Sequence, residues 1–151
     1  MRNNRLNLLN PYIGKWKTEG LTKSGDIITG TDTYEWVDGG FFLVHQVDVM
    51  FGDKKIRSLE ITHYDDMEDV FRSQSFDNEG NISISTLKIY DDIILIFADT
   101  ERFKGNFKTN TIEGLWEQFD GKNWIPWMDI KLTKILPQCN DELVSASLET
   151  G

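Results

Sequence analysis

Short extended segments, separated by turn residues, follow one another from Tyr12 to Lys134. The ten segments are residues 12–19, 27–37, 41–50, 56–64, 70–77, 82–89, 93–98, 101–107, 111–119 and 124–134. Glycine at the turns supplies positive φ and Asp or Asn forms local hydrogen bonds, so the connections are typical of hairpins. Regular strand spacing without long helical patterns predicts an antiparallel sandwich or barrel.

Polar and apolar residues alternate within these segments, and both faces carry polar residues. Residues 82–89 alternate until Thr86, where the phase slips, and residues 111–119 are mixed on both faces. This pattern favours a sheet whose inner face lines a partly hydrated cavity. About ten strands favour closure, because closure removes exposed sheet edges. We therefore predict an all-β fold, a closed antiparallel β-barrel of about ten strands.

Only the two ends of the chain have helical character. Residues 5–10 predict one short turn before Pro11, and residues 140–149 predict a brief C-terminal helix with Asn140 or Asp141 as its cap. At 151 residues the chain is predicted to form one domain. We place the barrel at 1–136 and a C-terminal tail or short helix at 137–151.

Charge and composition narrow the function classes. The net charge of -9 argues against nucleic-acid binding, which needs a basic surface, and against docking to anionic membranes. No apolar run of about 18 residues predicts a transmembrane helix, and the apolar patch near the N-terminus is too short for a signal peptide. The single cysteine, Cys139, suits a reducing compartment. We expect a cytoplasmic protein.

The first strand carries Gly14-Lys15-Trp16, which resembles the G-x-W motif of the calycins, the lipocalin and fatty-acid-binding-protein group of barrels. The resemblance implies that Trp16 packs at the closed end beneath a basic residue of the last strand. Lys131 or Lys134 can take this position, and we assign Lys131. A cation over a tryptophan face stabilises by about 0.5–2 kcal/mol.

More of the chain is similar to DUF1579-type calycin-like proteins, small bacterial domains without a defined biochemical role. The similar segments, spread over residues 8–135, are residues 34–43, 63–65, 76–80 and 114–116. The resemblance implies a barrel of about ten strands capped by a short N-terminal helix, and it carries no catalytic residues across. The related nitrobindins hold haem through a histidine near the last strand, but residues 124–134 contain none, so we expect no haem.

The chain offers few groups for catalysis or metal binding. Cys139 lies outside the predicted barrel, and no G-x-S-x-G motif occurs. The two histidines, His45 and His63, do not have the close spacing of metal ligands, and the acidic residues 65–69 lack the pattern of an EF-hand loop. We therefore predict no metal and no cofactor.

The role of His45 depends on the register of its hairpin. A two-residue turn at Gly52-Asp53 places His45 opposite Glu60, a pair that could transfer protons and would raise the histidine pKa. A three-residue turn, residues 52–54, places His45 opposite Ile61 and brings His63 to the same face. The continuous apolar face of residues 41–49 favours the second register. If the protein is an enzyme, its candidate catalytic residues are His45, Glu60 and His63.

Aromatic residues are abundant, with five tryptophans and nine phenylalanines, and some are expected to line a pocket. An inward Arg57, Arg72 or Arg102 could bind a ligand carboxylate. The predicted ligand-binding residues are Tyr34, Trp36, Leu43, His45, Ile61, His63, Arg72, Trp116 and Trp127.

The leading hypothesis is a barrel that binds a small hydrophobic or amphipathic molecule without transforming it. One alternative is a barrel enzyme that uses a histidine–carboxylate pair for proton transfer. Another is a structural or interaction module with a filled barrel, which pairs through an outer face as a homodimer. We expect neither a nucleic-acid nor a membrane partner.

Overall fold

The computed structural model of the protein describes residues 1–136, and its ten antiparallel strands form a closed barrel. The strands are β1 Gly14–Thr22, β2 Ile27–Trp36, β3 Leu43–Phe51, β4 Lys54–Asp65, β5 Val70–Asp77, β6 Ile82–Tyr90, β7 Ile93–Phe97, β8 Glu101–Lys108, β9 Thr111–Phe119 and β10 Trp124–Ile135. Each strand pairs with the next, and β1 pairs with β10 to close the ring. The predicted fold class is confirmed, and β5 and β9 have the predicted bounds.

A 3₁₀ helix, Asn4–Tyr12, precedes β1 and closes one end of the barrel. The Asn3 side chain caps it by accepting a hydrogen bond from the backbone N–H of Arg5. The helix contains Pro11 and ends at Tyr12, so it is longer than the predicted turn, and β1 begins later than predicted. Buried helix residues pack beside strand residues; this cluster comprises Leu6, Leu9, Leu43 and Phe71.

The same end holds the main apolar core. Its buried members are Tyr12, Trp16, Ile94, Phe103, Ile112 and Leu132. Phe103 lies over a pair of facing glycines, Gly105 and Gly114, and a Cβ atom on Gly114 would lie 2.3 Å from the Phe103 ring. The space over Gly114 is therefore filled by protein, and this mid-strand glycine serves packing rather than close approach of a ligand. We call this helix-covered part the closed end.

The opposite end of the barrel is bordered by hairpin turns alone within residues 1–136. The turns that meet there join β1 to β2, β3 to β4, β5 to β6, β7 to β8 and β9 to β10. We call this the open end. No helix within the described part of the chain has the length and apolar character needed to cross a bilayer. The predicted C-terminal segment 137–151, with Cys139, lies outside the described residues.

In the halves of β4 to β6 that lie near the open end, the polar face of each strand is its inner face. Glu60 pairs with Ser75, which pairs with Ser83, and all three lie on the inner face. The outer face of the same strands carries apolar residues, each at least 38% exposed, namely Leu59, Ile61, Phe76, Ile82 and Ile84. Nearer the closed end the inner residues of these strands become apolar, as at Phe71 and Leu87. The polar–apolar pattern of the sequence changes phase at Thr86 because the inner residues of β6 change there from polar to apolar. The side chains of the strand itself alternate regularly between the two faces.

Candidate ligand-binding site

The turn between β3 and β4 fixes the environment of His45. Phe51 pairs with Lys54 across Gly52 and Asp53, and Gly52 adopts a left-handed φ of 60°. This two-residue connection places His45 directly opposite Glu60. The first of the two predicted registers is therefore present, and the favoured register, with His45 opposite Ile61, is wrong.

His45 lies between two carboxylates in the barrel interior. Its Nε2 is 2.9 Å from Asp32 Oδ1, and its Nδ1 is 3.1 Å from Glu60 Oε1. The exposed fractions of the side chains are 15% for His45, 8% for Asp32 and 27% for Glu60. Thr18 donates its hydroxyl to the other Asp32 oxygen at 2.6 Å. The four side chains form one hydrogen-bonded network, in which Glu60 is the carboxylate with more surface facing the interior space.

Tyr34 covers one face of the imidazole. The two rings stack with their centroids 4.1 Å apart and their planes 8° from parallel. Tyr34 is also the cross-strand partner of His45 on β2, so strand pairing itself sets this stack. Burial, together with the negative charges of Asp32 and Glu60, raises the pKa of the Tyr34 hydroxyl well above its usual value, so it stays protonated.

The network holds His45 as an imidazolium ion. Burial by itself lowers the pKa of this histidine, but the hydrogen bonds to Asp32 and Glu60 and their negative charges outweigh burial and raise the pKa to about 10. At neutral pH both ring nitrogens therefore donate protons, one to each carboxylate. A histidine in this state has no lone pair with which to accept a proton, and the two carboxylates lie on different sides of the ring.

Hydroxyl groups continue the polar wall on the neighbouring strands. Thr62 and Ser73, both buried, are hydrogen-bonded at 2.7 Å. One cross-strand row runs from Tyr34 through His45, Glu60 and Ser75 to Ser83. The row begins at an aromatic ring beside the closed end and leads to small hydroxyl side chains, of which Ser75 is partly exposed and Ser83 is exposed.

The floor of the interior is aromatic. The Tyr12 ring packs 5.1 Å from Phe107 and 5.9 Å from Tyr34. The Tyr12 hydroxyl is buried without a hydrogen-bond partner among the described residues, and burial raises its pKa. Trp16 is fully buried there and donates its indole N–H to the Tyr12 carbonyl at 2.8 Å.

The basic residue over Trp16 is Lys134, and the assignment to Lys131 is wrong. Lys134 pairs with Trp16 across β10 and β1, and its ammonium lies 5.5 Å from the centre of the indole ring. Lys131 is three residues away on the opposite face of β10, where it forms an ion pair with Glu113. The Gly14 backbone has a φ of 133°, which favours glycine, beside the Lys134 side chain.

Three predicted ligand-binding residues face away from the interior. Ile61 and His63 lie on the outer face of β4, and Arg72, on β5, pairs with His63 and bonds to Asp65 at 2.7 Å. These predictions are wrong because the more apolar face of β4 is its outer face. His63 and Glu60 lie on opposite faces, so the catalytic set of His45, Glu60 and His63 does not assemble.

The other predicted residues fall into two groups. Trp36 and Leu43 lie beneath the N-terminal helix, where the Trp36 indole donates to Asn10 at 3.0 Å, and they belong to the cap. Tyr34, His45 and Trp116 face the interior, and Trp116 packs 5.2 Å from Phe103. Trp127 lies at the open end, 6.0 Å from Phe51.

Sequence reasoning missed Asp32, Thr18 and Glu101. Asp32 precedes Tyr34 by two residues and so shares its face, a signal that the alternation of β2 already contained. Glu101 lies on the inner face of β8 beside Gln118, and burial raises its pKa while the hydrogen bond to Gln118 opposes that rise. A groove of about 760 Å³ lies between Glu101 and residues Ile82–Ser85 of β6, because β7 is too short to cover that part of β6.

Comparisons with known proteins find solved structures with a similar fold. No protein-family model and no curated protein matches the sequence. A solved structure described as the de novo design of a fluorescence-activating beta barrel matches 83% of this chain and 95% of its own, with a TM-score of 0.50 and 10% identity. Two further barrels, mFAP0 and EF1p2_mFAP2b, each bound to DFHBI, match with TM-scores of 0.46 and 0.47 at 11% and 8% identity. They match 82% and 86% of this chain and 99% and 98% of theirs.

Proposed function

We propose that the protein binds a small amphipathic molecule in the barrel interior, between the His45 network and the open end, without transforming it. The observation that carries the proposal is the partial exposure of inward-facing residues midway along their strands, above all Glu60, whose side chain is 27% exposed. An inward side chain keeps accessible surface only where space for solvent remains beside it.

The width of the barrel supports this proposal. Barrel diameter grows with strand number, and about eight strands already give an interior that side chains just fill or that holds one small ligand. The ten strands of this barrel enclose a wider space. The inner side chains of β4 and β5 are short and partly exposed at Ser58 and Ser75, which supports an interior that side chains do not fill.

The closed end and the middle of the interior match the two parts of an amphipathic molecule. The closed end presents partly buried aromatic and aliphatic side chains, among them Phe107 and Ile89, which pack on the buried core. The middle presents the hydrogen-bonded network around His45 and the neighbouring hydroxyl groups of Ser75 and Ser83. Ligand sites commonly combine an apolar wall with a few fixed polar groups in this way.

Filling the interior tests the proposal. Ser75→Phe places a ring beside Glu60, and Gln74→Phe places the same ring on the outer face of the same strand. We expect Ser75→Phe to abolish the binding of N-phenyl-1-naphthylamine, read by fluorescence, while Gln74→Phe binds it like the natural protein. The designed barrel with this fold is named for fluorescence activation, so a fluorogenic probe is a practical choice. Equal binding by both variants would place the dye outside the barrel and end the proposal.

A proton-transfer enzyme has less support. The His45–Glu60 pair exists, but both imidazole nitrogens already donate to carboxylates. Membership of the DUF1579-type calycin-like group, a cytoplasmic location and a homodimer stay predictions. A homodimer could use the exposed apolar residues on the outer face of β4 to β6, and sedimentation of the purified protein tests it.

A further inference from the structure

The charged side chains that face the interior are mostly acidic. Asp32 and Glu60 lie on one side of the strand ring, and Glu101 lies across from them on β8. The His45 imidazolium, bonded to Asp32 and Glu60, is the opposing charge in that network. Two carboxylates around one imidazolium leave one negative charge in excess, before Glu101 is counted.

Arginine side chains do not offset this charge. Arg57, Arg72 and Arg102 face outward and form ion pairs with Asp48, Asp65 and Glu117, respectively. The inward lysine near the closed end, Lys134, lies over Trp16 and donates to the Pro11 carbonyl at 3.2 Å. Between the rim and the closed end, within residues 1–136, no arginine or lysine lies at an inward-facing position.

Glu60 retains the capacity to bind a donor. A carboxylate has about four acceptor positions, and Oε1 of Glu60 uses one for His45. Its cross-strand neighbour, Ser75, adds a hydroxyl beside it. Asp32, by contrast, is buried and bonded through both oxygens, to Thr18 and His45. Glu60 is therefore the carboxylate of this network available to a bound molecule.

A second observation, independent of charge, concerns the floor of the same interior. The Tyr12 hydroxyl is buried and unpartnered among the described residues, and the Tyr12 side chain is only 7% exposed. Its ring lies against Tyr34, whose own ring stacks on His45. A shift of the Tyr12 ring toward the interior would let a bound molecule satisfy this hydroxyl.

We infer that the ligand presents a cationic, amine-type head group to Glu60 and an apolar body to the closed end, and that carboxylic acids bind poorly. This inference rests on the proposed function. An ammonium beside Glu60 gains a charge-assisted hydrogen bond, whereas a carboxylate there would lose its water and face like charges.

Three naphthalene probes that differ only in head group test this inference. They are 2-naphthylmethylamine, 2-naphthalenemethanol and 2-naphthoic acid, measured by calorimetry at pH 7.5 and 150 mM salt. We expect the amine to bind at least about tenfold more tightly than the alcohol, because a hydrogen bond to a charged group is stronger than one between neutral groups. The acid should bind most weakly.

Matched variants separate the site from the acidic surface of the protein. Glu60→Gln should reduce amine affinity about tenfold or more and leave alcohol affinity within about threefold. Glu113→Gln removes an outward carboxylate that pairs with Lys131 and should change neither. An amine that loses equal affinity in both variants is bound by the surface charge, which would overturn the inference.

The outcomes distinguish the inference from the function on which it rests. If the acid or the alcohol binds as tightly as the amine, and Ser75→Phe blocks that binding, the head-group inference is wrong while the interior remains a binding site. If none of the three probes binds, the head-group inference and the proposed function are both wrong.

Discussion

The inner face of the barrel is apolar at the closed end and polar in the open-end half of β4 to β6. At the closed end Ile94, Phe103 and Leu132 point inward and are at most 7% exposed. In β4 to β6, serines and Glu60 point inward while Ile82 and Ile84 face out at 64% and 67% exposure. The same strand, β6, takes part in both regions. Alternation thus identifies a strand, but which face is inner depends on whether the interior there is dry or hydrated.

The largest expected effect compares one isoleucine from each region. Ile94→Ala should lower the free energy of unfolding by about 2–5 kcal/mol, because it leaves a cavity in the packed core. Ile84→Ala should change it by less than about 0.5 kcal/mol, as is usual for exposed residues. Urea denaturation of both variants measures the difference.

An equal cost for both variants would contradict the contrast between the regions. If the cost of Ile84→Ala also grew with protein concentration, the outer face would be buried against a second copy, as the homodimer prediction expects.

The His45 network should make stability depend on pH. The native pKa of about 10 lies above the ordinary 6.5, so the native state holds a proton that the unfolded state releases between these values. The stabilisation is therefore complete below about pH 6.5 and lost as pH rises through about 10. We expect the stability advantage of the natural protein over His45→Gln to fall by about 2–4 kcal/mol between pH 7 and 10.5.

Comparing the two proteins at each pH cancels the titration of lysines and tyrosines elsewhere. If the stability difference between the natural protein and His45→Gln stays constant across this pH range, His45 does not carry an extra proton in the native state. The imidazolium described for the polar interior would then be wrong.

The sequence predicted the strands because the turns between them contain glycine, Asp or Asn, which favour turns through positive φ or local hydrogen bonds. It did not decide which face of β4 is inner, since Leu59 and Ile61 form the more apolar face and yet lie outside. The roles of Lys131 and Lys134 were confused for a related reason, because three residues along a strand reverse the face.

The candidate site was only partly visible in the sequence. The His45–Glu60 pair followed from one of two turn lengths, and the turn residues Gly-Asp alone do not choose between them. Asp32 brings the second carboxylate from β2, and its contact with His45 depends on pairing across that strand as well. The contacts of His45 with Asp32 and Glu60 span three strands and require two registers at once, which local patterns do not determine.

The most direct test of the polar interior is ¹⁵N NMR of the imidazole rings. The chain has only two histidines, and His63, which faces outward, provides a comparison within the same sample. We predict that both His45 nitrogens carry protons at pH 7.5 and that the ring titrates near pH 10. A His45 ring that is neutral at pH 7.5 and titrates between pH 6 and 7 would contradict the account.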